Sequence, residues 1–175
     1  MSSEPHPPDP AFPRISDLPF PSYRFVPGRT PHPRNDPRGH SFAAEATDFT
    51  DEARAVRNDW RESPHFCYSV DLYNYAYWWE AHEGWEGLWR CYQPGDPYRL
   101  ILQAFIQVSA AHLQRFMLHA NGARHLLKHA RLHLDAARAV GPVAFGVNLD
   151  EWWFEAVEPY FNAPYAHPFP FLRPQ

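Results

Sequence analysis

Proline constrains this chain more than any other residue, through where it is absent. Proline fixes φ, lacks a backbone donor and clashes inside a helix. Of the 20 prolines, those at residues 1–37 and after residue 141 account for all but Pro64, Pro94 and Pro97. Long helices are therefore confined to the middle, and both ends must be irregular. Between residues 70 and 140 the apolar residues recur with helical rather than alternating period. The expected fold class is all-α: a small antiparallel bundle of about four to five helices, with an extended proline-rich N-terminal arm and no β-sheet.

Start and stop signals divide the middle further. A first helix is expected over 51–61, capped by Thr50 and stopped near Ser63-Pro64. A second is expected over 70–92 as one continuous element with Ser69 as N-cap, ended by Gln93-Pro94-Gly95-Asp96-Pro97. A third is expected over 98–119, with Asn121-Gly122 breaking the chain. A fourth spans 123–140 up to Gly141-Pro142. A short fifth, opened by Asn148 or Asp150, covers 151–158 and stops at Pro159. Short connections make these helices antiparallel neighbours.

Outside them, residues 1–18 read as a disordered tail and 163–175 as an irregular one. Residues 19–47 carry Phe20, Tyr23, Phe25 and Val26, for which a solvated linker has little use. They read as an extended arm packed on a bundle domain over 48–162.

Composition narrows the function classes. Hydrophobic residues at 45% suffice for one packed core, and no apolar run approaches a membrane span. A formal net charge of −4 argues against nucleic acid as partner, since such domains present a basic face. Membrane partners are likewise not expected, and assembly into a homo-oligomer is left open. The start of the chain has no secretory pattern, and its 2 cysteines make no disulfide framework, so the expected compartment is cytoplasmic. On a continuous second helix Cys67 and Cys91 would stand roughly 36 Å apart, far beyond disulfide reach.

Two helices carry the unusual residues. The third is apolar almost all round and belongs at the centre, yet Gln103, Gln107 and Gln114 form a stripe along it. Buried amides need partners. The second gathers Asn74, Tyr77, Trp78, Ala81, His82, Trp85, Leu88 and Trp89 on one face. Glu86 sits on its shoulder, Glu83 lies further out, and Glu80 is the most exposed of the three. Antiparallel packing through 93–97 brings Asn74, His82, Glu83 and Glu86 level with Gln103 and Gln107. Those six are expected to form one polar cluster.

These residues carry a resemblance. Asn74 followed by Trp79-Glu80-Ala81-His82-Glu83-Gly84-Trp85-Glu86-Gly87-Leu88-Trp89 resembles the hallmark of domain-of-unknown-function family 309. The family's second block is similar to Leu102-Gln103-Ala104-Phe105-Ile106-Gln107-Val108-Ser109-Ala110-Ala111, and a third to Asn121-Gly122-Ala123 with Leu126-Leu127. The likeness covers roughly 68–135. Where the family has a small glycine in the second helix this chain has Ala76, and Ala104 replaces another. The segment with Pro31-His32-Pro33 and Asp36-Pro37-Arg38-Gly39-His40 is similar to a preface in some members. The resemblance implies an all-helical bundle and no activity.

His82, Glu83 and Glu86 are also the candidate metal ligands, because residues four apart on a helix are neighbours and imidazole with carboxylates suits a divalent transition metal. A divalent metal is the one cofactor these residues suggest. Glu83 and Glu86 are the catalytic candidates if an acid/base or metal-assisted hydrolase operates, with His32 and His40 of the arm able to close over it. The competing reading is a non-catalytic binding or structural module in which the same groups form a buried network. His125, His129 and His133 read as boundary residues, and His112 as a satisfied core histidine. Glycine-rich phosphate loops, nucleophile signatures and Cys-x-x-Cys pairs are missing, so whether the chain is an enzyme is left open.

Overall fold

Ser63, not Ser69, starts the core. Its hydroxyl accepts from the Phe66 amide at 3.1 Å, and Pro64 occupies the first helical turn, where no amide donor is needed. Ser69 lies inside the helix and donates to the His65 carbonyl. The computed structural model describes residues 3–163 and 166–175. In it α1 (Thr50–Ala55) and a 3₁₀ turn (Trp60–Glu62) lead into α2 (Pro64–Asn74), α3 (Trp78–Trp89), α4 (Pro97–Phe116) and α5 (Ala120–Ala136). After them come a two-strand hairpin, β1 (Val143–Ala144) and β2 (Val147–Asn148), and a C-terminal helix. The chain is mostly helical, as expected of an all-α bundle.

The expected continuous helix over 70–92 is two helices. At its end α2 satisfies its own carbonyls: the Tyr77 amide returns to the Leu72 carbonyl at 2.8 Å and the Ala76 amide to that of Tyr73 at 3.2 Å. This pair of bonds is the Schellman closure, which needs a left-handed residue between helix and exit. Ala76 occupies that place with φ 65°. Glycine would take it without strain; the alanine hides the signal, which is why the break is invisible in the pattern.

Other boundaries moved for local reasons. Asn121 and Gly122 lie in the first turn of α5, and the chain turns earlier, at Leu118 with φ 65°. Pro159 does not stop the last helix. Leu149–Glu151 (α6), a π-helical stretch Trp152–Val157 and Glu158–Asn162 (α7) run on continuously, and the wider π turn comes directly before the proline. The small sheet corrects the expectation of none: Phe145 (φ 52°) and Gly146 (φ 72°) make a tight turn of the kind that joins two-residue hairpin loops.

Helix α4 is the central element, with Ile101, Leu102, Ala104, Phe105, Val108 and Ala111 wholly buried between α3 and α5. The ends of the chain wrap this core. Asp71 of α2 accepts from the amides of Ile15 and Ser16 and from Arg14. Phe12 stacks on Phe171 at 4.0 Å. The disorder expected over 1–18 is therefore not what the structure has at residues 9–18; Met1 and Ser2 lie outside the described residues. At the other end Leu172 is buried and Gln175 bonds to Gly146. Among the described residues no helix is long and apolar enough to cross a membrane.

Candidate functional site

Around α3, at about 100° per residue, the polar groups run in the order His82, Glu86, Glu83, Glu80. The arm lies over the Glu80 end of that arc. Glu80 is buried, at 6% exposure. Its Oε1 accepts from the Phe25 amide at 2.9 Å and from His40 Nε2 at 3.0 Å. Its Oε2 is buried with no hydrogen-bond partner. The sequence pattern made Glu80 the most exposed of the three glutamates; the structure reverses this, because helical periodicity reports one helix and not the segment that covers it.

The arm is itself braced. Tyr23 donates to the Pro31 carbonyl at 2.9 Å and packs on the His40 ring at 4.7 Å. Gly39 lies so close to the Pro33 backbone that a Cβ there would be 2.2 Å from its carbonyl oxygen. His32 wedges between Phe25 and Trp79 and accepts from the Arg34 and Asn35 amides. Of the two arm histidines, His40 reaches a glutamate and His32 shapes the turn.

His82, Glu83 and Glu86 do come together. One donor atom from each lies within 4.8 Å of the others. His82 Nε2 stands 3.8 Å from Glu86 Oε2, and all three side chains are partly buried. Two arginines already neutralise the carboxylates: Arg34 of the arm at 3.7 Å from Glu83, and Arg90 at 2.9 Å from Glu86. Both arginines are more than half exposed, so each pair contributes at most about 1 kcal/mol and gives way easily to another cation.

Glu80, Glu83 and Glu86 line a cleft of about 590 Å³ between the arm, residues 45–50, α2 and α3. Two glycines bring its walls together. A Cβ on Gly84 would lie 2.2 Å from Ser69 Oγ, and one on Gly87 would lie 2.5 Å from the Phe49 ring. With Glu45 and Asp48 also on its walls, the cleft has more carboxylates than the two guanidiniums of Arg34 and Arg90 balance.

Asn74 and Gln107 take other partners. Asn74 ends α2 and clasps the C-terminal segment: its Nδ2 donates to the Leu172 carbonyl and its Oδ1 accepts from the Leu172 amide, both at 2.9 Å. Gln107 pairs with His133 Nδ1 at 2.9 Å, on the α5 side of α4. Gln103 is half-buried on α4. The break at Ala76 turns α2 away from α3, so Asn74 no longer shares a face with His82. His112 is fully buried against Tyr73. The Tyr73 hydroxyl donates to the Pro170 carbonyl, so it accepts from His112 Nε2–H, which assigns the neutral tautomer. Burial, with Arg115 nearby, holds that imidazole well below its usual pKa.

The segment that forms α2, α3, α4 and the start of α5 settles the likeness. Residues 66–126 match the family model described as a domain of unknown function (DUF309). The DUF309 segment contains the whole His82–Glu83–Glu86 arc and Glu80, while the arm and the C-terminal clasp lie outside it. No curated protein and no solved structure matches the chain.

Proposed function

We propose that the chain is a non-catalytic binding module that holds a small organic cation in the cleft between the arm and α3. The observation that carries this reading is Glu80, a buried carboxylate on the cleft wall with one oxygen unpartnered. Leaving such an oxygen unmatched costs on the order of 1–3 kcal/mol or more, and an ammonium or guanidinium that enters from the cleft as the arm yields would supply the donor. The acidic surplus of the walls favours a cation, and a volume near 590 Å³ suits a small molecule. Glu83 and Glu86 would exchange Arg34 and Arg90 for the ligand.

A second reading rests on the 4.8 Å spacing of the His82, Glu83 and Glu86 donors. A divalent transition metal held there by His82 and one of the two glutamates would make the site a metal-assisted hydrolase, in which the metal would lower the pKa of a bound water and the other glutamate, Glu83 or Glu86, would act as base.

One titration separates the two. Purified protein is titrated calorimetrically with agmatine and spermidine, and separately with Zn²⁺ and Mn²⁺. The binding-module reading expects saturable uptake of an organic cation that Glu80→Gln weakens at least tenfold. The metal reading expects uptake of Zn²⁺ or Mn²⁺ that His82→Ala abolishes and Glu80→Gln leaves intact. Organic cations that bind equally well to Glu80→Gln would overturn the first reading.

A further inference from the structure

The far side of the bundle carries a different surface. A groove of about 360 Å³ runs between α5 and the C-terminal helix, floored by Leu127, Trp153, Val157 and Phe161. Leu132 stands at its edge with 53% of its surface exposed, and neighbouring Phe154 is 49% exposed. Arg131 also lines the groove, with its guanidinium 4.4 Å above the Phe154 ring and its charge held by Asp135. Large apolar side chains grouped this way on a surface mark an interaction site.

The rims of the groove have opposite signs. Arg124 and Lys128 are exposed on the α5 rim, and Glu158 is exposed on the rim formed by the other helix. Among the described residues none of these three is in an ion pair, although all of them line one groove. The groove holds them apart within one chain.

A surface with a basic edge, an apolar floor and an acidic edge is complementary to itself. A two-fold axis running along the groove places α5 of one copy over the C-terminal helix of the other. Arg124 and Lys128 then face the second copy's acidic edge, the reverse pairing forms by symmetry, and Leu132 and Phe154 of both copies leave water together. A partner of a single sign would leave one rim facing like charge, which disfavours it. We infer that this groove is an isologous dimer interface, and that its occupant is a second copy of the chain.

The test is the mass of the full chain in solution by sedimentation velocity and light scattering, at concentrations up to roughly 100 µM, well above the Kd of a modest specific interface. The expected result is twice the monomer mass. Leu132→Asp should give a monomer with an unchanged circular dichroism spectrum. Lys128→Glu should weaken dimerisation about tenfold or more, and the double variant Lys128→Glu with Glu158→Lys should restore it, because the reversed charges again face one another. A wild-type monomer across that range, a dimer indifferent to Leu132→Asp, or a double variant no tighter than the single one would overturn the inference.

Discussion

Asn74→Ala removes two hydrogen bonds and gives their partners nowhere to go. Asn74 and Leu172 are each about 1% exposed, and both amide bonds between them are 2.9 Å long. Truncation leaves the Leu172 N–H and C=O buried and unmatched, at about 1–3 kcal/mol each. The chain can escape that cost only by releasing the segment around Leu172, which forfeits the burial of that leucine, itself about 2 kcal/mol. By either route the loss is about 2–5 kcal/mol, a large share of the stability of an ordinary domain. Urea unfolding followed by tryptophan fluorescence measures it, and hydrogen exchange at the Leu172 amide distinguishes strain from release, since only release exposes that amide. Asn74→Asp should cost a similar amount, because a carboxylate oxygen would face the Leu172 carbonyl. A loss below about 1 kcal/mol with Leu172 still protected would refute the clasp and return Asn74 to the site on α3.

Three further outcomes are expected. Burial keeps His112 neutral in the fold, while in the unfolded chain it gains a proton near its ordinary 6.5; stability should therefore be full above that pH and fall below it by up to about 1.4 kcal/mol per pH unit, and urea midpoints from pH 7.5 to 5 should show a slope that His112→Gln reduces. Cys91 is exposed and Cys67 is buried with its thiol pushed up to about 11, so a chromogenic thiol reagent at pH 8 should titrate one cysteine in the native protein and the second only after denaturation, without prior reduction. Gly84→Ala places a methyl group against Ser69 and should lower stability by about 1–3 kcal/mol, with Ser69→Ala in the same chain recovering part of the loss in melting temperature.

The helical class was legible because proline distribution and helical period are properties of the chain itself. The burial of α4 was legible for the same reason, and so was the triad, since His82, Glu83 and Glu86 share one short helix whose geometry is local. What failed depended on contacts between distant segments or on a backbone state that the residue name conceals. Ala76 holds a left-handed conformation that only glycine would have announced, and the face assignment of Asn74 went with it. Gln107 was matched to α3 by level along the axis, but level says nothing of azimuth, and its side chain points toward His133 on α5. Two features readable in principle were the glycines of α3. Gly84 and Gly87 sit three apart on one side of a helix, a spacing that brings another element close, and Ser69 and Phe49 are what approach.

The position of Glu80 changes what the shared polar motif means. Its four charged and polar members are spread over about 160° of α3, so Glu80 and His82 stand at opposite ends of the arc. The edge of the arm falls within that arc. Glu80, on the covered side, takes the Phe25 amide and His40 and so fixes the arm to the helix; His82, Glu83 and Glu86, on the open side, keep a cluster whose carboxylates pair with two exposed arginines. The arm is thereby coupled to the cleft, because Arg34, nine residues beyond the Phe25 anchor and six before His40, is the group that meets Glu83. A ligand that takes Arg34's place at Glu83 must move the arm or add to its hold at Glu80. Glu80→Ala should therefore do two things at once: expose residues 26–47 to limited proteolysis and change the affinity of the cleft. If it loosens the arm while leaving cation binding untouched, the covered and open halves of the motif are independent, and Glu80 is a fastening alone.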